Sequence, residues 1–392
     1  MIFVCEIMFD RGAHVPFNAG LLATIRASFP KEDLTFWGAS THIDQLKTQV
    51  GAAVASSMCW KEITPIPPGL RYGERFFREL GLIRRLLSQL PQGTISRLVL
   101  TSAFPSTVLA IKVARWFRST SPAVQMVLHE MSGVIGKRYR RPIRRSQDMK
   151  TALTLLGNNG IQYLVLEEHI RDKAVKSLPR LAGRIEAFEH PISPNEGASE
   201  VVELSEPIRF GFLGTALKSK GYPLFVEVAN AVTAKYGRRA EFHVIGRCPE
   251  ESNGVKGTEA LATRPAGSQL TRNDFIRGIA PLHFIVLPYE ADAYILSASG
   301  VLLDAIAWQK PVIARKIPTF EAMFERHGDI GHLFDDNSGL TCIVEQILQA
   351  TDVSRYRRQA LTLRDVRKSR DPETLASAYR KLCKTNEGKS YE

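Results

Sequence analysis

The sequence predicts an α/β chain of two Rossmann-like, doubly wound halves, and three observations carry that expectation. The first is alternation. Short apolar, β-rich runs are separated by longer stretches of helical apolar spacing, the pattern of parallel sheets covered by helices on both faces. The second is length, since 392 residues suit two domains of similar size better than one core. The third is Leu282 to Ala314. There a buried strand, His283-Phe284-Ile285-Val286-Leu287, stops at Pro288 and is followed by a small-residue loop. A helix from Gly300 to Trp308 and a second buried strand, Pro311-Val312-Ile313-Ala314, complete a βαβ unit.

Composition narrows the function classes. Apolar residues make up 44% and charged residues 23%, the balance of a soluble globular protein. The sequence holds no apolar run of about twenty residues, so no membrane span is predicted. The opening, Met1 to Ile7, lacks a basic n-region and is interrupted by Glu6 and Asp10, so it reads as a first strand rather than a signal peptide. The five cysteines are scattered without metal-like spacing, which suits reduced thiols in a cytoplasmic protein. The net charge of +12 and the pI of about 9.5 point to anionic partners. Without a zinc-finger or RNP-type signature, nucleic acid is not the expected one.

In chain order, the first strand runs into a turn-rich loop, Phe9 to Gly20, and then a helix around Leu21 to Ser28. That loop lies at a strand's carboxyl end, where open parallel sheets bind ligands. Strands at Leu34 to Trp37, Leu98 to Leu100 and Val124 to Leu128 alternate with helices at Tyr72 to Leu90 and Ser106 to Phe117. The last of these strands ends in His129. Gly136 to Lys150 is the densest positive run, with Pro142 preventing a single helix. It reads as a solvated loop or, the favoured reading, as a contact with anionic lipid headgroups. Strands at Gln162 to Leu166 and Phe188 to Ile192 close a first domain of residues 1–192. Ser193 to Pro207, small, polar and acidic, reads as the linker.

The second domain, residues 208–370, opens with the strand Ile208 to Gly214. Thr215 to Tyr222 forms a loop before a helix through Ala234, and a further strand, Ala240 to Ile245, turns at Gly246-Arg247. Ser297 and Ser299 are candidate N-caps for the helix at Gly300. The free N–H groups of that helix's first turn attract anions, and Ser299-Gly300 lets a phosphate approach the backbone. Asp304, one turn further in, is within reach of a ribose hydroxyl. An ordinary capped helix explains the same residues. Val353 to Lys384 reads as a charged helical tail.

Three stretches, Gly214 to Gly221, Pro288 to Ile313 and Gly328 to Asp335, resemble glycosyltransferases of the GT-B architecture. The similarity is to the large bacterial family of nucleotide-sugar-dependent enzymes, glycosyltransferase group 1 or family 4-like. That family's helix reads Glu-Ala-hydrophobic-Ala-x-Gly-x-Pro-Val-Ile. Asp304-Ala305-Ile306-Ala307-Trp308-Gln309-Lys310-Pro311-Val312-Ile313 fits it, with Asp for Glu and Gln for Gly. Two further departures are Leu296, where the family has a second glutamate, and Thr215, where it has an arginine before the Lys-Gly pair.

The resemblance implies two Rossmann-like domains facing a cleft, with the final helix, within 371–392, crossing back to the first domain. It places the donor nucleotide diphosphate sugar on Gly214, Thr215, Lys218, Lys220, Arg247, Tyr289, Ser297, Ser299, Gly300, Val301 and Asp304. Lys220 would clamp the diphosphate, and Arg247 would supply the charge that Thr215 lacks. It makes His129, His14 and Asp10 catalytic candidates, with His14 a general base. It assigns Asn18, Lys137 and Arg138 to the acceptor.

No metal and no separate cofactor are expected, because no Asp-x-Asp motif ends a strand and the cations replace a divalent ion. The expected partners are a nucleotide sugar, a saccharide or lipid-linked saccharide acceptor, and an anionic membrane met through 137–145. The expected activity is glycosyl transfer in surface polysaccharide or lipopolysaccharide synthesis, on the cytoplasmic face of the membrane. A catalytically inactive partner subunit and a sugar-nucleotide epimerase of the same fold are the alternatives.

Overall fold

The structure, a computed structural model, describes all residues except 11, 13, 68, 92–95, 117–121, 132–146, 158–159, 199, 253, 293, 295 and 386–392. It divides into two units. One contains Met1–Asn195, Leu296–Ala298 and Arg370–Glu392, the other Glu196–Ile295 and Ser299–Ser369.

The first unit is built on a parallel seven-stranded sheet. Its strands are β1 (Ile2–Cys5), β2 (Leu34–Gly38), β3 (Cys59–Glu62), β4 (Arg97–Leu100), β5 (Ala123–Leu128), β6 (Ile161–Leu166) and β7 (Ile185–Phe188), in the order β3-β2-β1-β4-β5-β6-β7. The direction of winding reverses between β1 and β4, so the crevice outside their carboxyl ends is the ligand position of such a sheet. β1 is apolar on both faces, β4 is apolar after Arg97, and both are buried throughout, as a sheet covered on both sides requires. The helices include α1 (Val15–Ser28), α2 (Ser40–Gln49), α3 (Ala52–Ser56), α4 (Tyr72–Gln89) and α5 (Pro105–Trp116). After these come α6 (Met149–Thr154) and α7 (Glu168–Ser177).

Two expectations are corrected here. The helix after the first strand starts at Val15 rather than Leu21, because Pro16 sits in its first turn, where a missing N–H costs nothing. The last strand ends at Phe188 rather than Ile192. Beyond it Pro191 has no N–H to give a ladder, while His190 N–H donates to the Glu167 carboxylate and Ile192 N–H to the Arg370 carbonyl. The edge strand β3, exposed and polar, left no apolar signal in the sequence.

The second unit is a parallel five-stranded sheet with the order β12-β11-β10-β8-β9. Its strands are β8 (Ile208–Leu213), β9 (Ala240–Ile245), β10 (Phe284–Leu287), β11 (Val312–Arg315) and β12 (Gly331–Phe334). Register puts Phe210 beside Phe242 on one side and Phe284 on the other, and the rings stack at 5.3 and 5.7 Å between centroids. These rings anchor the core on one face, since aromatic neighbours across strands add contact beyond their area. Its helices are α8 (Tyr222–Tyr236), α9 (Arg272–Ile279), α10 (Gly300–Ala307), α11 (Pro318–His327), α12 (Asn337–Gln349) and α13 (Val353–Ser369). Winding reverses between β8 and β10.

The tail breaks once, at Arg370-Asp371 before Pro372, and its last helix, α14 (Pro372–Thr385), packs on α1 in the first unit. Polar groups fix it there. Tyr379 OH donates to Gln125 at 2.6 Å, Gln125 to Gln162 at 2.6 Å, and Gln162 to the Leu382 carbonyl at 3.1 Å. The fully buried Arg370 forks onto the Glu167 carboxylate, with contacts of 2.5 and 3.0 Å.

Candidate active site

In the first unit the carboxyl ends of β1, β4 and β5 converge on Glu6, one residue past the first strand and fully buried. Its carboxylate accepts Met8 N–H at 3.0 Å, Phe9 N–H at 3.4 Å, Thr101 Oγ1–H at 2.9 Å, Asn18 Nδ2–H at 3.5 Å and the Ser102 hydroxyl. His14 Nδ1 lies 3.6 Å away, an ion-pair distance rather than a hydrogen bond. Burial alone would raise the Glu6 pKa, but His14 and these donors outweigh it and hold the group at about 2, below its ordinary 4.5.

His14 occupies the left-handed region at φ 65°, which turns its ring back over the carboxyl end of the sheet. The ring stacks on His129 at 4.0 Å between centroids, and Phe17 meets His129 edge-on at 4.5 Å. His129 is anchored by a 2.8 Å contact from Nε2 to the Thr101 carbonyl. Burial, aided by His14 and His190, pushes its pKa well below the usual value, so it is a neutral ring.

The first-loop candidates therefore separate. His14 and His129 come together over Glu6. Asn18 is fully buried beneath them, bridging Glu6 to His42 at 3.0 Å, a supporting place rather than an acceptor-facing one. Asp10 is exposed, and its carbonyl accepts the Thr41 hydroxyl. Lys137, Arg138 and the whole run 137–145 lie outside the described residues. Glu6, which reads in the sequence only as an interruption of an apolar strand, is the residue that organises this cluster. Its signal was there: an acid directly after a buried strand at the point of ligand binding.

In the second unit the loops after β8 and β10 form the other cluster. Gly221, at φ 74°, packs under Pro288, and an added Cβ would stand 1.8 Å from the Pro288 carbonyl oxygen. Only glycine allows that approach, which fixes the turn that presents Lys220. The half-buried Lys220 Nζ stands 3.4 Å from the point a Gly214 Cβ would occupy and 6.0 Å from the Tyr294 ring centre. It donates no hydrogen bond to protein among the described residues, and burial lowers its pKa while Asp304 opposes the shift.

Ser299 caps α10, its Oγ accepting Leu302 N–H at 3.3 Å, and the buried Tyr289 hydroxyl meets that oxygen at 3.2 Å. Val301 lies behind Gly214, its Cγ2 3.6 Å from that glycine's Cβ position. Asp304 accepts Arg272 Nη2–H at 2.9 Å, and burial still raises its pKa against the pull of Arg272 and Lys220. Arg272, which the sequence reading did not single out, also forks onto Glu196, with Nε to Oε1 at 2.7 Å.

Gly214, Lys220, Tyr289, Ser299, Gly300, Val301 and Asp304 thus share the winding-reversal point. Thr215 lies partly buried beside Gly214, while Lys218 and Arg247 are exposed on the surrounding loops. Ser297 belongs to the first unit, bridged through its backbone to Glu130. Leu296, fully buried in that unit, accepts Met131 N–H at 3.0 Å. Among the described residues no group of three or more His, Cys, Asp or Glu side chains could hold a metal ion. No described helix is long and apolar enough to cross a membrane.

Comparison with known proteins bears on the fold and on the second unit. The family model described as glycosyl transferases group 1 matches residues 207–352. No curated protein sequence matches the chain. Among solved structures, a glycosyltransferase from Rickettsia africae ESF-5 has a TM-score of 0.64 at 10% identity, covering 99% of each chain. A trehalose-6-phosphate structure from E. coli bound with UDP-2-fluoro glucose has 0.64 at 11%, covering 98% of each. The lipopolysaccharide outer core galactosyltransferase WaaB, in its apo form, has 0.60 at 12%, covering 98% of this chain and 99% of that one. These structural likenesses establish the fold, and the family match falls on the unit that carries Lys220 and Asp304. The second unit thus matches a glycosyl transferases group 1 model, and along its length the chain shares the fold of GT-B glycosyltransferases.

Proposed function

We propose that this enzyme transfers a glycosyl group from a nucleoside diphosphate sugar, held by the second unit, to a saccharide acceptor held by the first. The observation that carries the reading is Lys220. A half-buried ammonium, without a protein acceptor among the described residues, stands at the winding-reversal point of a parallel sheet beside a capped helix start. Such a group is a diphosphate ligand in waiting, and the first-turn N–H groups of α10 add a second source of positive potential. Together they stabilise the nucleoside diphosphate as it leaves, the charge a metal supplies elsewhere. Asp304 takes the ribose.

In the first unit, His14 receives the acceptor proton while Glu6 holds its ring and balances the imidazolium that forms. The acceptor is a lipid-linked saccharide of surface polysaccharide or lipopolysaccharide synthesis, reached from the cytoplasmic side by a peripheral enzyme. The net charge of +12 and the likeness in fold to WaaB support that choice.

Calorimetric titration with UDP and GDP tests the donor site. A charge-assisted phosphate contact contributes roughly 1.5–3 kcal/mol, so Lys220→Ala should raise the dissociation constant at least about tenfold. Unchanged affinity in that variant removes Lys220 from the site. A screen of sugar nucleotides against lipid-linked and free saccharides then identifies donor and acceptor.

A further inference from the structure

Arg272 is the first residue of the short helix α9, which Thr271 caps by accepting Asp274 N–H. Three groups fix its guanidinium. Nε and Nη2 fork onto the two oxygens of Glu196, Nη2 also reaches Asp304, and the Phe275 ring lies 4.8 Å from its central carbon. The backbone two residues after Glu196 is held, since Ala198 gives its N–H to the Ala307 carbonyl at 3.0 Å and takes Gln309 Nε2–H at 2.8 Å. A planar fork held on three sides cannot swing away when a ligand arrives. The glycosyltransferase reading assigns this cation nothing.

Its place suggests a purpose. Asp304 lies within electrostatic reach of Lys220, so left alone it would pair with the ammonium and repel a phosphate. We propose that Arg272 is a positioning and charge-balancing residue for the nucleoside diphosphate donor: it neutralises Asp304 and so leaves the Lys220 charge to the diphosphate. Glu196 sets the strength of that balance by taking part of the guanidinium's charge. This device matters more in a chain with Thr215, which contributes no charge beside the lysine. The inference rests on the donor site proposed above and gives it a determinant of selectivity for charge rather than for base or ribose.

The test compares ligands that differ only in phosphate. UDP, UMP and uridine are titrated into wild-type protein and the variants Arg272→Met, Arg272→Lys and Glu196→Gln, with thermal melts confirming that each is folded. If the balance operates, Arg272→Met raises the dissociation constant at least about tenfold for UDP, less for UMP and less than about threefold for uridine. Arg272→Lys, which keeps the charge, holds UDP affinity within about threefold of wild type. Glu196→Gln tightens UDP by about threefold or more, a gain that a merely structural ion pair does not give. Equal losses for all three ligands in Arg272→Met, or weaker UDP binding in Glu196→Gln, overturn the inference while leaving the donor site in place. A wild-type protein that binds UDP, GDP and ADP no better than uridine overturns the donor site and this inference with it.

Discussion

Glu6 and Asp304 are acids at the carboxyl end of a parallel sheet, one in each unit, the first fully buried and the second half-buried, and their pKa values shift in opposite directions. Desolvation raises both. Around Glu6 it is outweighed by five hydrogen-bond donors and His14, and the group settles at about 2. Around Asp304 it wins, although an arginine and a lysine are near, because the guanidinium is shared with Glu196 and gives Asp304 one bond. An opposite charge backed by directed donors, as His14 and the hydrogen bonds provide around Glu6, outweighs desolvation where a shared guanidinium does not. The first unit thus spends structure on a permanent anion beneath its histidines. The second keeps an acid whose charge is only loosely held.

The largest test removes the permanent anion. Glu6→Ala leaves Met8 and Phe9 N–H, Thr101 and Ser102 facing a void and should cost about 3–5 kcal/mol in urea unfolding. A loss under about 1 kcal/mol would mean that these donors find other partners and the contrast between the acids is false.

Acid titration sharpens the same point. A carboxyl lowered from 4.5 to about 2 in the folded protein stabilises it above pH 4.5, and that contribution disappears as the pH falls from 4.5 towards 2. At about 1.4 kcal/mol for each step of one in pH, roughly 3 kcal/mol is at stake. Glu6→Gln should flatten this limb by that amount. Glu167, held down by Arg370 after burial has raised it, steepens the limb in both proteins and cancels in the difference. The neutral His129 acts earlier, its contribution being lost as the pH falls below 6.5, and because Glu6 opposes its shift that part does not cancel in Glu6→Gln.

Asp304 has the opposite sign. Its folded pKa is raised above 3.8, so its contribution is complete below 3.8 and is lost as the pH rises through the folded value. Asp304→Asn should therefore change stability at pH 7 by no more than about 1 kcal/mol, with Arg272 still bound to Glu196. A loss above about 3 kcal/mol would put Asp304 in the same class as Glu6.

The sequence disclosed what is local. Lys220-Gly221 and Ser299 to Asp304 each lie on one strand-loop-helix stretch, so spacing alone brings their groups to one end of a strand. His14 and His129 are 115 positions apart (129 − 14), and each was legible from its position at a strand end. Their stacking was not, since it depends on the left-handed turn at His14 and on β4 lying between their strands. Arg272 was invisible because an arginine opening a short amphipathic helix looks like a solvated residue. Only the tertiary fold brings it to Asp304, thirty-two positions later. The edge strand β3 was missed for the reason edge strands generally are: its side chains bury little, and the backbone ladder leaves no mark on composition.

The return of α14 to the first unit has a consequence for how the chain is made. Residues 1–195 leave the ribosome first, yet Leu375, Tyr379 and Cys383 belong to the same apolar cluster as Val4, Leu22 and Leu164. The earliest half of the chain must wait for nearly the last segment before its core is complete, while the second unit is assembled almost entirely from one continuous stretch and can close sooner. A chain cut after Ser369 would keep the segments of the second unit and leave α1 without the α14 face that covers it, the kind of apolar surface a chaperone holds.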